Sequence, residues 1–137
     1  MAKTLSATVG RWVTKSKRRT DAIIKTSAFR VGEIAQTPIA KGGNLPVDTS
    51  FLRQTFTAEI GKMPEGPGQS SDGLPGDWEG SVTLTINGMK SGDVLFMGWS
   101  AVYARKMEER YGFMKGGALQ WKRIVAEATR EARARIR

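Results

Sequence analysis

Residues 46–60 read PVDTSFLRQTFTAEI, and the pattern changes partway along. Pro46 and Asp48 are turn formers, while from Phe51 onward apolar and polar residues alternate. Leu52, Phe56, Ala58 and Ile60 share one face with Gln54, and Arg53, Thr55, Thr57 and Glu59 share the other. Period-two alternation of this kind predicts a half-buried strand over 51–60, launched by a turn at Asp48 and Thr49. Arg53 is the oddity, a cation inside an apolar run. It reads either as an exposed strand residue or as the partner of a carboxylate, such as Glu108 or a group on a neighbouring subunit.

Upstream, no proline occurs between Leu5 and Ala35, and apolar residues recur at Leu5, Val9, Trp12, Val13, Ile23, Ile24, Ala28, Val31, Ile34 and Ala35. Spacings of three and four predict an N-terminal helical region. The cluster KSKRR at 15–19 interrupts the stripe, so the region is one long helix or two, with Asp21 available to cap the second. Pro38 ends it, because the residue before proline is pushed out of the α region. The following KGGNLPVDTS, 41–50, is a loop by its Gly, Pro, Asn and Asp content.

Downstream, residues 61–80 (GKMPEGPGQSSDGLPGDWEG) are rich in Gly and Pro and predict a flexible arm or long hairpin loop. SVTLTIN, 81–87, alternates again with Val82, Leu84 and Ile86 inward, and DVLFMGWS, 93–100, makes a further strand across a hairpin NGMKSG. A short helix around YARKMEERYG closes at Gly112, and after the loop 113–117 an amphipathic helix carries Leu119, Ile124, Val125 and Ala128 on one side. The expected fold is a single α+β domain over 1–137. In it a small antiparallel sheet of about three to four strands is covered by a long N-terminal helix, a short helix and a C-terminal amphipathic helix.

Composition narrows the chemistry. With 137 residues and 39% apolar content the chain supports one modest core. It contains neither cysteine nor histidine, which removes disulfides, thiolate nucleophiles, the usual zinc ligands and imidazole acid–base catalysis. The remaining carboxylates are scattered; a metal-dependent nuclease built on Asp72, Asp77 and Glu79 is the one enzymatic reading they permit. No catalytic, metal or cofactor-binding residue is assigned, and no cofactor is expected. No apolar run reaches membrane-span length, and MAKTLSATVGRW lacks the apolar segment of a secretory signal, so the expected setting is a reducing cytoplasm.

The net charge of +9 is uneven: residues 1–33 and 101–137 each carry +6, whereas 34–100 carry −3. Such asymmetry points to polyanions or acidic protein surfaces. Lys15, Lys17, Arg18 and Arg19 are the candidates to face DNA or an acidic partner. Trp12 and Trp121 lie near the two basic ends, where they can stack on bases, but both fall on helical apolar stripes, and the expectation for them is burial in the core.

Taken in order, these segments resemble the neck and tail-completion proteins of tailed bacteriophages. The elements that carry the resemblance are the Thr37-Pro38 step ending the first helix, then Asp48, Thr49, Leu52 and Arg53 at the opening of the sheet. Tyr103, Ala104 and Glu108 follow in the short helix, and Ala118 and Leu119 stand at the start of the last. The likeness runs from about residue 25 onward; Ser50 stands where the family favours glycine, and the segment 61–80 is longer than the family minimum.

The resemblance implies a non-enzymatic virion protein of the head–tail connector, assembled in the host cytoplasm as a homo-oligomeric ring, a hexamer or dodecamer. It would sit between head-closure or adaptor proteins and the tail terminator or tail tube, with genomic DNA passing through the lumen without sequence recognition and no membrane contact. Arg53, Trp78, Tyr103 and Glu108 are the candidate interface residues. The alternatives are a tail terminator or minor tail protein of the same region, or a basic nucleic-acid-binding module.

Overall fold

The computed structural model describes residues 4–47, 51–64 and 77–137. Helix α1 runs unbroken from Leu5 to Ala35, about 46 Å at 1.5 Å per residue. It starts where the Thr4 hydroxyl accepts a hydrogen bond from the Ala7 N–H at 3.1 Å, and it ends at Gln36, ahead of Thr37-Pro38. Lysine and arginine are good helix formers, so KSKRR continues the helix, with Lys17 and Arg18 exposed and Lys15, Ser16 and Arg19 half-buried, and Asp21 begins no new segment. The second half of α1 buries Ser27, Ala28, Gly32 and Ala35. These small residues let neighbours approach closely: a Cβ at Gly32 would lie 3.3 Å from the Phe56 ring.

The decisive stretch divides in two. Phe51–Gln54 forms a single helical turn, α2, and the strand β1 begins only at Phe56 and runs to Ile60. Thr55 marks the junction, its hydroxyl donating to the Leu52 carbonyl at 2.8 Å. The predicted strand therefore loses its first half, and with it the strand-face assignment of Arg53. Leu52 is buried as expected, in a cluster with Leu45, Ala101, Ala104 and Phe113, while Phe56 enters a second cluster with Ala28, Val82 and Ile86. Trp99 touches both clusters and joins them.

Strand β2, Leu95–Trp99, pairs antiparallel with β1, placing Phe56 opposite Trp99 and Ile60 opposite Leu95. Among the described residues the sheet has these two strands, fewer than the three to four expected. The missing one is 81–87, which lies inside helix α3, Trp78–Asn87. Asp77 caps that helix, its carboxylate accepting the Gly80 N–H at 2.8 Å. Val82 and Ile86, four apart, are buried, whereas Leu84 is 77% exposed on the far side. NGMKSG consequently links a helix to a strand and is not a hairpin.

Helices α4 (Ala104–Tyr111), α5 (Phe113–Ala118) and α6 (Trp121–Arg135) complete the chain. Gly112 closes α4 in the left-handed region at φ 65°, as expected, but the predicted loop 113–117 is helical. Helix α6 lies antiparallel along α1: Gly117, just before it, packs on Val31 and Ala35, and its far end reaches Arg19. The architecture is α+β, with helices packed on a small antiparallel sheet. The expected arm at 61–80 falls mostly outside the described residues, and its last part, from Trp78, opens α3.

Candidate assembly surface

Arg53 and Trp78, two of the candidate interface residues, meet each other. The Arg53 guanidinium sits 5.3 Å from the Trp78 ring centroid, a cation–π arrangement, and Trp78 packs edge-on against Phe56 at 5.6 Å. The Arg53 Nε donates to the Gln36 carbonyl at 3.1 Å. Gln36, which the pattern of the sequence does not single out, is the hub. It is 1% exposed, its side-chain amide donates to the Arg53 carbonyl at 2.8 Å, and its side-chain oxygen accepts from the Trp99 indole at 2.7 Å. One buried amide thus ties the end of α1 to α2 and β2.

Glu108 has a different task from pairing with Arg53. Its two carboxylate oxygens accept the Met114 and Lys115 N–H groups at 2.7 and 3.0 Å, which satisfies the open donors at the start of α5. Tyr103 stands at the N-terminal end of α4 with its ring 6.0 Å from Phe51. Beside Glu108 an apolar groove of about 440 Å³ is lined by Met97, Trp99, Phe113 and Met114, with Glu109 at its edge.

The largest departure from expectation is at the start of α1. Residues 4–14 are all exposed, about 15 Å of helix that the body leaves largely uncovered. Leu5 (80% exposed), Val9, Trp12 (67%) and Val13 continue along one stripe of this segment. Trp12 is therefore not core, and neither is Trp121, 47% exposed beside the exposed Leu119. Trp12 sits on a correctly read helical stripe that extends past what the fold covers, whereas Leu119, expected on the buried side of the last helix, lies between α5 and α6, and the buried side of α6 begins only at Ile124. Lys15, Lys17, Arg18 and Arg19 lie on α1 next to this segment, and Arg19 donates through Nε to the Ile136 carbonyl at 2.7 Å.

The acids assemble no catalytic centre among the described residues: no group of three or more His, Cys, Asp or Glu able to hold a metal is present there. Asp77 is occupied as a helix cap, and Asp72 lies outside the described residues. Glu33 shows a displaced pKa. Partial burial raises it above the ordinary 4.5, the nearby Glu79 raises it further, and Arg30 opposes. A raised carboxylate pKa favours the folded state below the unfolded value, and this contribution is lost as pH rises through the folded value. Glu33→Gln is accordingly expected to raise the melting temperature at pH 7 and to leave it unchanged at pH 3.5; thermal melts at both pH values check this.

No protein-family model, no curated protein and no solved structure matches the chain. No helix among the described residues is long and apolar enough to cross a membrane.

Proposed function

We propose that this chain is a structural subunit of the head–tail junction of a tailed bacteriophage, a neck or tail-completion protein. In this reading it forms a ring of six or twelve copies between the head-closure complex and the tail, with the genomic duplex in the lumen. The observation that carries the reading is the start of α1, where Leu5, Val9, Trp12 and Val13 form an apolar stripe that the described residues leave largely exposed. An exposed apolar stripe on a helix is the mark of a contact with another protein surface. A head-to-tail contact needs two different patches on one subunit, and such contacts close into rings when the rotation permits. The groove of Met97, Trp99, Phe113 and Met114 is a second patch, formed by β2, α4, α5 and the Met63-Pro64 step, apolar at its centre and bordered by Arg105, Glu108 and Glu109.

No chemistry is needed for this role, and stability of the subunit rests on ordinary packing plus the Gln36 hub. Purified protein examined by mass photometry and electron microscopy, alone and mixed with the adjoining head-closure and tail proteins, tests the reading. Closed rings of six or twelve, with copies present in purified particles, are the expected result. A chain that stays monomeric in every mixture and is absent from particles overturns it. Placement of the gene between those for head closure and tail tube separates a neck protein from a tail terminator.

A further inference from the structure

We infer that the basic side of the free α1 segment is a nucleic-acid backbone site, closed on one side by the chain end that follows α6. The groove there, about 600 Å³, is lined by Arg11, Trp12, Lys15, Arg18 and Arg137, with no acidic side chain among the residues that form it. Two separate elements build it. Helix α1 supplies the row Arg11, Lys15, Arg18 at spacings of four and three, which aligns them along one side. The bond from Arg19 Nε to the Ile136 carbonyl holds the other chain end against the helix and so brings Arg137 to the row.

The ligand follows from the charge density. Between Arg11 and Arg19 the helix carries five cations and no acid, over about 12 Å of axis. A DNA duplex presents one charge per roughly 1.7 Å, so about seven phosphates face the same length. An acidic protein partner would meet these cations with side chains at scattered spacings, whereas a strand offers a continuous row. Trp12, 67% exposed at the border of this groove, gives the aromatic surface on which an unpaired base stacks; the cations alone serve a duplex. Arginine and lysine on a helix flank with no base-reading element beside them hold backbone without reading sequence.

This inference shares with the proposed ring the source of the DNA and Trp12, which belongs to the apolar stripe and borders the groove, and its test does not depend on assembly. Fluorescence anisotropy is measured with a labelled 30-base-pair duplex and a 30-nucleotide single strand, from 50 to 200 mM NaCl, with mass photometry reporting oligomeric state in parallel. The wild-type chain is expected to bind both. Arg11→Ala/Lys15→Ala/Arg18→Ala is expected to lose roughly 30-fold in affinity at 50 mM NaCl and to give a log–log salt slope shallower by roughly 3.

Arg105→Ala/Lys106→Ala/Arg110→Ala on α4 removes the same net charge elsewhere and is expected to stay within about threefold of wild type, since loss of long-range attraction alone is modest at these ionic strengths. Trp12→Ala is expected to weaken the single strand about tenfold and the duplex little. Absence of binding at 50 mM NaCl, equal loss in both triple variants, or binding to anionic phosphatidylserine vesicles but not to DNA overturns the inference. Unchanged single-strand affinity of Trp12→Ala removes the aromatic from the site. The substituted side chains are exposed apart from the half-buried Lys15, and circular dichroism confirms that each variant is folded.

Discussion

Gln36→Leu is expected to destabilise the fold by about 2–5 kcal/mol, a large part of the 5–15 kcal/mol typical of a domain. Leucine matches glutamine in bulk, so the packing volume survives. What is lost is the pair of hydrogen bonds by which the buried amide serves the Arg53 carbonyl and the Trp99 indole. Both partners would then be left without their bond in a poorly hydrated place, and each such group costs about 1–3 kcal/mol. Trp99→Phe removes the indole donor and keeps a ring between the two apolar clusters, so the double variant Gln36→Leu/Trp99→Phe should be less destabilised than the sum of the single ones. Urea denaturation followed by far-ultraviolet circular dichroism gives all three values. A loss below about 0.5 kcal/mol for Gln36→Leu, within the range of ordinary surface substitutions, would show that Gln36 is a passenger in the cap of α1.

Helix α1 was legible because its stripe, its lack of proline and the Thr37-Pro38 stop all agree, and alternation marked 56–60 and the stretch near 93–100 as strands, although their pairing with each other was hidden by the expected hairpin of 81–87 with 93–100. The misreadings have a common physical origin. In SVTLTIN, Val82 and Ile86 are four apart, which suits one face of a helix as well as one face of a strand, and β-branched residues tilt the reading toward a strand. The arbiter was Asp77, whose carboxylate starts a helix at Trp78, but a cap is a weaker signal than a hydrophobic alternation. FLRQ fails in the same way: Leu52 is buried in either conformation, and the helical turn rests on bonds from the Thr55 N–H to the Phe51 and Leu52 carbonyls and from the Thr55 hydroxyl to the Leu52 carbonyl, none of which alternation reveals. Gln36 was illegible because a polar residue after the last helical turn reads as solvent-facing; its burial depends on α2 and β2, which are 17 and 63 residues away in the chain. Trp12 was misplaced for the opposite reason, since periodicity reveals which side of a helix is apolar and not where along the helix the body ends.

Val9→Glu/Val13→Glu is expected to abolish ring formation and incorporation into particles while leaving the subunit as stable as wild type. The two valines stand four apart on the exposed part of α1, being 50% and 41% exposed, and neither belongs to a buried cluster of the fold. Glutamate is a better helix former than valine, so the isolated helix is if anything reinforced. In an assembled contact the same change forfeits about 1.5–3 kcal/mol for each apolar side chain and leaves two carboxylates to be desolvated, at further cost. In a closed ring every subunit both gives and receives the contact, so the loss recurs at each interface. Val9→Ser/Val13→Ser keeps the net charge and should weaken assembly in the same direction, which separates the apolar contribution from electrostatics. The stripe also lies roughly 140° round the helix from the row Arg11, Lys15, Arg18. The valine variants should therefore keep duplex DNA binding within about threefold, allowing for two added negative charges nearby, and the arginine and lysine variant should keep ring formation. Assembly of Val9→Glu/Val13→Glu at the wild-type protein concentration, seen by mass photometry, would mean that the free segment of α1 is not the subunit contact and would leave the groove beside Glu108 without its partner.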